Sequence, residues 1–119
     1  MRRILFVTLA VSIALALLHF AALEWYLYWR FLWYDILMHF LGGLCLGLFA
    51  YWLLSRVSIP TFIMCISCVA LVGIAWEVFE FVTKFPPSFW MSYPLDTMKD
   101  LTMDLVGGIG GFLVARRMV

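Results

Sequence analysis

The sequence predicts an all-α membrane protein, a transmembrane four-helix bundle with no sheet. Three observations lead to this prediction. Of the 119 residues, 66% are hydrophobic and only 13% are charged, which is far from the composition of a soluble domain. The apolar residues form runs of about 20 residues, the length that crosses a bilayer. The short connections after the first and second runs favour antiparallel neighbours.

The predicted helices, which we call segments one to four, cover about 4–23, 31–54, 59–82 and 97–115. Together they make the whole chain, 1–119, a single integral membrane domain. The N-terminus also has the charge and apolar run of a signal peptide. It lacks a small-residue cleavage site, so we expect a retained helix. Pro60 is placed in the first turn of segment three, where proline is tolerated.

The distribution of basic residues orients the bundle. Five basic side chains fall on one side: Arg2, Arg3, Arg56, Arg116 and Arg117. Three fall near the rim of the other side: Arg30, Lys84 and Lys99. We therefore expect both termini to lie in the cytoplasm. Aromatic residues such as Trp25, Trp33 and Trp90 would then form a belt at the outer interface.

Segment four carries three aspartates at intervals of four residues, Asp96, Asp100 and Asp104. This spacing places them roughly along one side of a helix. Since a charged stripe that faces lipid is costly, we expect the other helices to cover it. Helix capping and the helix dipole would explain Asp96 and Asp100. Asp104 lies two turns inside the segment and needs another partner.

Segments one to three place further ionisable residues at a similar depth, in the outer half of the bilayer. Asp35 and His39 form an i, i+4 pair on segment two, and Glu77 and Glu80 form an i, i+3 pair on segment three. His19 on segment one is expected to be a satisfied buried group. Such a cluster can hold a divalent ion, share acid–base work or merely bond the helices together.

Crowded carboxylates with few cations among them favour either protonation or a bound divalent ion such as Zn²⁺, Mn²⁺, Fe²⁺ or Mg²⁺. The predicted metal ligands are Asp35, His39, Glu77, Glu80, Asp100 and Asp104. The predicted catalytic residues are His39 as proton carrier, with Asp35, Glu77 and Asp104. The chain has no diagnostic metal motif such as His-Glu-x-x-His.

Small residues are arranged to let segments two and four approach closely. Gly43 and Gly47 are four residues apart, and Gly107, Gly108, Gly110 and Gly111 follow Asp104. These glycine-rich faces would also allow a homodimer. Cys65 and Cys68 are spaced like a redox motif, but they lie in an apolar run, so we interpret them as packing residues.

The ordered motifs resemble those of the YjdF-like (DUF2238) inner-membrane proteins and, more distantly, the VanZ-like proteins. The motifs are Asp35-x-x-x-His39-x-x-Gly42-Gly43, Trp76-Glu77-x-x-Glu80-Phe81 and Asp96-Thr97-x-x-Asp100-x-x-x-Asp104-x-x-Gly107. The likeness covers segments two to four, and segment one offers nothing to match. It implies a multi-pass membrane protein of bacteria or archaea but supplies no reaction.

The acidic cluster and the aromatic belt favour a membrane-embedded hydrolase or transferase acting on a lipid or lipid-linked headgroup. The first alternative is a proton- or cation-coupled transporter, although acids confined to one half of the bilayer argue against a complete pathway. The second is a structural or partner-binding membrane protein with a polar packing layer. A net charge of +1 leaves no basic footprint for nucleic acid.

Overall fold

The computed structural model describes residues 1–84 and 91–119, which contain five α-helices and no strand. The helices are α1 (Arg2–Glu24), α2 (Leu27–Arg30), α3 (Leu32–Leu54), α4 (Phe62–Thr83) and α5 (Tyr93–Arg117). The prediction of an all-α fold is confirmed for these residues. The predicted belt residue Trp90, with Pro86 and Pro87 of the long connection, lies outside them.

The short connection between segments one and two contains the four-residue helix α2. α1 ends at Glu24, with Trp25 as its C-cap, and Tyr26 then adopts a left-handed backbone conformation with φ of 56°. A residue in this conformation turns the chain sharply, because it cannot continue a right-handed helix. The residues of α2 therefore fold back over the end of α1, and Tyr28 lies beside His19 of α1.

Two predicted helix starts were wrong for reasons of local chemistry. α4 begins after Thr61, whose side chain accepts a hydrogen bond from the Met64 amide, so Pro60 precedes the cap and lies outside the helix. α5 begins at Tyr93, with Pro94 in its first turn. Asp96 is therefore inside α5 and is not its N-cap.

Three helices of the described chain, α1, α3 and α4, are long and apolar enough to cross a membrane. Large apolar side chains such as Phe20 on α1 and Leu71 on α4 are exposed on the surface of the bundle, as expected where lipid surrounds a protein. α5 has 25 residues, but Asp96, Lys99 and two further aspartates make its first half too polar to meet the same standard.

The most extensive helix contact in the described bundle joins α3 and α5. A Cβ atom added at Gly43 would overlap the carbonyl oxygen of Asp104, and one added at Gly107 would overlap the carbonyl oxygen of Phe40. Backbone therefore lies directly against backbone. Gly47 faces Gly108 one turn further along both helices, so α3 and α5 run side by side in the same direction.

The other two long helices pack around this pair. α1 lies on α3, where Ser12 Oγ is 3.0 Å from Cys45 Sγ and the Tyr34 hydroxyl donates to the Leu18 carbonyl. α4 contacts both α5 and α3. At the end that holds the chain termini, the helices bury an apolar cluster: Ile4, Leu48, Ala50, Tyr51, Cys65, Phe112 and Ala115. Cys65 is a buried free thiol there, in line with a packing role.

Gly43→Ala should destabilise the protein, although alanine is the better helix former by roughly 1 kcal/mol. The added methyl group would force α3 away from the Asp104 carbonyl, and overpacking of this kind costs about 1–3 kcal/mol. The measurement is the thermal unfolding midpoint in detergent. Gly42→Ala is the matched control, because a Cβ there meets nothing within 4 Å. Equal midpoints for the two variants would contradict the close approach of α3 and α5.

Candidate functional site

The imidazole of His39 lies among three aspartates. Its Nδ1 is hydrogen-bonded to Asp104 Oδ1 at 3.1 Å. Its Nε2 lies 3.6 Å from both Asp35 Oδ1 and Asp100 Oδ2, which is too long for a hydrogen bond. One ring nitrogen is thus held by a carboxylate, while the other faces two carboxylate oxygens without bonding to either.

The packing of α3 and α5 explains why these groups meet. Asp35 and His39 are one turn apart on α3, and Asp100 and Asp104 are one turn apart on α5. Since the two helices run in the same direction at backbone contact, both pairs present the same spacing to each other at the same height. Asp100 is 1% exposed and Asp104 6%, so α5 directs these carboxylates into the bundle.

Lys99 is part of the cluster, and the expectation that it lies near the rim was wrong. Its ammonium is 2.6 Å from Asp35 Oδ2, 2.9 Å from Asp96 Oδ1 and 3.1 Å from Asp100 Oδ1. The early start of α5 places Lys99 in the second helical turn, where its long side chain reaches back across the aspartates. Part of the negative charge is therefore offset by a cation of the chain itself.

Glu77 has no such partner among the described residues. It is 5% exposed, and neither of its carboxylate oxygens makes a hydrogen bond. The Thr97 side chain lies close enough to influence the carboxylate, but its hydroxyl does not reach hydrogen-bonding geometry either. Glu80, one turn further along α4, is partly buried and accepts a hydrogen bond of 2.7 Å from the Trp76 indole.

Two groups of three side chains in the described chain have ligand atoms close enough to share a metal ion. One group is Asp35, His39 and Asp100, and the other is Glu77, Glu80 and Asp100. Within each group the ligand atoms lie within 4.8 Å of one another. Five of the six predicted ligands belong to these groups. Asp104 belongs to neither and instead bonds His39.

A cavity of about 180 Å³ opens beside the cluster, between α1, α3 and α4. Its polar lining includes Asp35, His39, Glu80 and Asp104. Its apolar lining includes Leu15, Met38, Leu46 and Val72. A second cavity of about 290 Å³ adjoins it, with Leu15, His19, Met38 and Trp76 lining both. The two adjoining cavities therefore have ionisable side chains on one part of their lining and apolar side chains on the rest.

Sequence reasoning missed Tyr28 as a residue of this cavity. His19 Nδ1 lies 2.8 Å from the Tyr28 hydroxyl, and both side chains line the wall. Burial, followed by the Asp35 carboxylate, raises the pKa of the Tyr28 hydroxyl above its usual value, so it remains protonated. His19 is partly buried and hydrogen-bonded, as predicted. The sequence signal for Tyr28 was its position beside the ends of two helices that carry ionisable residues.

Lys99→Met should lower the thermal unfolding midpoint strongly. Removing one partner of a buried ionic network leaves charges uncompensated and costs about 3–5 kcal/mol, and here Asp100 is almost fully buried. Lys84→Met is the control, since Lys84 is exposed at the end of α4. Adding Asp35→Asn should restore part of the loss. If Lys99→Met and Lys84→Met have the same unfolding midpoint, the ionic network does not contribute to stability.

Comparison with known families matches residues 2–119 to DUF2238, which is described as a predicted membrane protein. No curated protein and no solved structure matches the chain. The match includes α1, so the expectation that segment one has nothing to match was wrong. The family description confirms the prediction of a membrane protein, whereas the more distant VanZ likeness stays a prediction. The chain belongs to the DUF2238 family of predicted membrane proteins.

Proposed function

We propose that this protein is a membrane-embedded hydrolase or transferase that acts on a lipid or lipid-linked headgroup. The observation that supports this most is the cavity, which joins buried ionisable groups to apolar walls. A headgroup would lie against His39 and the carboxylates, and the acyl chains would follow Leu15, Met38 and Val72 toward the lipid. Intramembrane ionisable groups are costly and are mostly retained for function.

In this proposal α5 is the fourth crossing, so that successive long helices are antiparallel and both termini lie in the cytoplasm. The polar residues of α5 are the obstacle to its insertion, but they are turned inward. Asp100 and Asp104 are buried, and Lys99 lies among the aspartates. The exposed face of α5 carries residues such as Met98 and Val106, which suit lipid.

We further propose a divalent metal ion held by Asp35, His39 and Asp100. The hydrogen bond from His39 Nδ1 to Asp104 is the arrangement that commonly orients a metal-binding histidine. It leaves Nε2 directed at two carboxylate oxygens that it does not bond. One nitrogen with carboxylate oxygens suits Zn²⁺, Mn²⁺ or Fe²⁺. When bound, such an ion polarises an ester oxygen and makes bound water more acidic.

The residues then divide the work of ester cleavage. Water loses a proton to a carboxylate oxygen of the cluster, and its oxygen forms a bond to the electrophilic centre of the ester. The bond from that centre to the leaving oxygen breaks, and the leaving oxygen takes up the proton. In a transferase, a substrate hydroxyl replaces water. Because Asp104 would hold Nδ1 and the ion would take Nε2, His39 would act as a ligand in place of the proton carrier predicted from sequence.

A transporter is less well supported by the packing. One turn along from the cluster, Gly47 and Gly108 bring the α3 and α5 backbones together. Beyond them Leu48 and Phe112 belong to the buried apolar cluster. This packing closes the route between α3 and α5 that a relay of aspartates would need.

The homodimer expected from the glycine patterns stays a prediction. Gly43, Gly47, Gly107 and Gly111 already lie against backbone of the neighbouring helix in the same chain. A second copy would have to use another face. Gly42 and Gly110 are less closely packed, since an added Cβ would meet nothing within 4 Å at Gly42 and only Leu44, at 3.4 Å, at Gly110.

Asp104→Asn should reduce activity about 10- to 100-fold, the usual effect of losing a carboxylate that orients a metal-binding histidine. The assay incubates purified protein in nanodiscs of bacterial membrane lipids and detects released headgroups or transferred groups by mass spectrometry. Asp96→Asn is the control, since Asp96 bonds Lys99 outside the cavity. A fully active Asp104→Asn protein would refute the site. Absence of product from the wild-type protein would count against the proposed activity.

Reporter fusions after Val119 distinguish three crossings from four. With a cytoplasmic N-terminus, four crossings return the C-terminus to the cytoplasm, so a green fluorescent protein should fluoresce and an alkaline phosphatase should be inactive. A fusion after Lys84, at the end of α4, should give the opposite pair of results. Active phosphatase at both positions would show that α5 does not cross.

A further inference from the structure

We propose that Glu77, Glu80 and Asp100 hold a second divalent ion, so that Asp100 is shared between two ions. The inference rests on the proposed function and deepens it, because it turns a single metal site into a two-metal centre. Two groups of three side chains each have ligand atoms that lie within 4.8 Å of one another, and Asp100 is a member of both groups. Asp100 is therefore the residue that the two ions would share.

The buried carboxylate of Glu77 is the independent observation that points to a ligand. At 5% exposure it is removed from solvent, and both of its oxygens lack a hydrogen bond within the described residues. A buried charge without a partner is strongly unfavourable, and buried charges are normally paired or bound to metal. The side chain is also aimed into the cluster, where its oxygen approaches those of Glu80 and Asp100.

Neither Lys99 nor His39 forms an ion pair with Glu77 in the described part of the chain. Lys99 is engaged by Asp35, Asp96 and Asp100. The imidazole of His39 faces aspartates on both of its nitrogens. Every ion pair in the described chain thus has an aspartate as its acidic partner. Glu77 and Glu80, the glutamates of α4, form a separate acidic group beside these pairs. A divalent ion there would offset the charge of Glu77 and Glu80 together.

The two sites would differ in ligand chemistry. The first offers an imidazole nitrogen and two carboxylate oxygens, whereas the second offers three carboxylate oxygens, which suit a hard ion such as Mn²⁺ or Mg²⁺. In two-metal centres the ions stabilise the attacking and the leaving oxygens of one displacement. Glu80 also lines the cavity, so the second ion would lie beside the space that a headgroup occupies.

The test is to count ions in the full chain. Protein purified in mild detergent is stripped with a chelator, loaded with Mn²⁺ or separately with Zn²⁺, desalted and analysed by elemental mass spectrometry. We expect two ions per wild-type chain, one in Glu77→Gln, one in His39→Ala and none in Asp100→Asn. Glu24→Gln and His19→Ala are matched controls that should keep two, since Glu24 is exposed and His19 bonds Tyr28. Electron paramagnetic resonance of the Mn²⁺ form should show two coupled ions.

The outcomes separate this inference from the proposed function. One ion in the wild-type chain that persists in Glu77→Gln and is lost in His39→Ala would overturn the second site and leave the first intact. No ion with either metal would overturn both metal sites, and Glu77 would then be neutralised by a proton. If Glu77→Gln aggregates on size exclusion, Glu80→Gln replaces it. Two ions retained in that variant would equally overturn the proposal.

Discussion

The backbones of α3 and α5 lie in direct contact, and this contact determines both the packing of the bundle and the position of the ionisable cluster. Helices in lipid gain little from the hydrophobic effect between them, so close packing and polar contacts must hold them together. Gly43 and Gly107 permit that packing because any side chain there would overlap backbone of the partner helix. The close packing of α3 and α5 also places His39 level with Asp104, so that their side chains form a hydrogen bond. The helix packing and the geometry of the site therefore depend on the same contact.

The buried ionisable groups lower the stability of the protein, so their presence indicates a role other than stabilising the fold. Lys99 and His39 each lie beside three aspartates, so two basic side chains gather the carboxylates at the contact between α3 and α5. Burying such groups costs more than apolar packing of the same volume. Selection for stability alone would replace them. The uncompensated Glu77 sharpens that argument, because no described group explains its retention.

The sequence predicted the helical fold and the gathering of ionisable groups well, because both follow from run length and from depth along a helix. The sequence did not predict contacts that depend on the direction in which a side chain points. The depth of Lys99 did not reveal that its ammonium turns back over Asp35. The sequence also predicted Pro60 in a first helical turn that it does not occupy, and the predicted start of segment four at about 97 excluded Pro94, which lies in the first turn of α5. The cavity depends on how α1 and α4 are spaced around α3, which no local pattern encodes.

We expect the groups from α3 and α5 to form one energetically coupled cluster. A double-mutant cycle between His39→Gln and Asp104→Asn measures this coupling, with the free energy of unfolding determined in detergent for the wild type, both single variants and the double variant. The coupling should be about 0.5–3 kcal/mol, as found for residues in one hydrogen-bonded network. Additive effects, within about 0.3–0.5 kcal/mol, would contradict it, because the two side chains would then not be in contact.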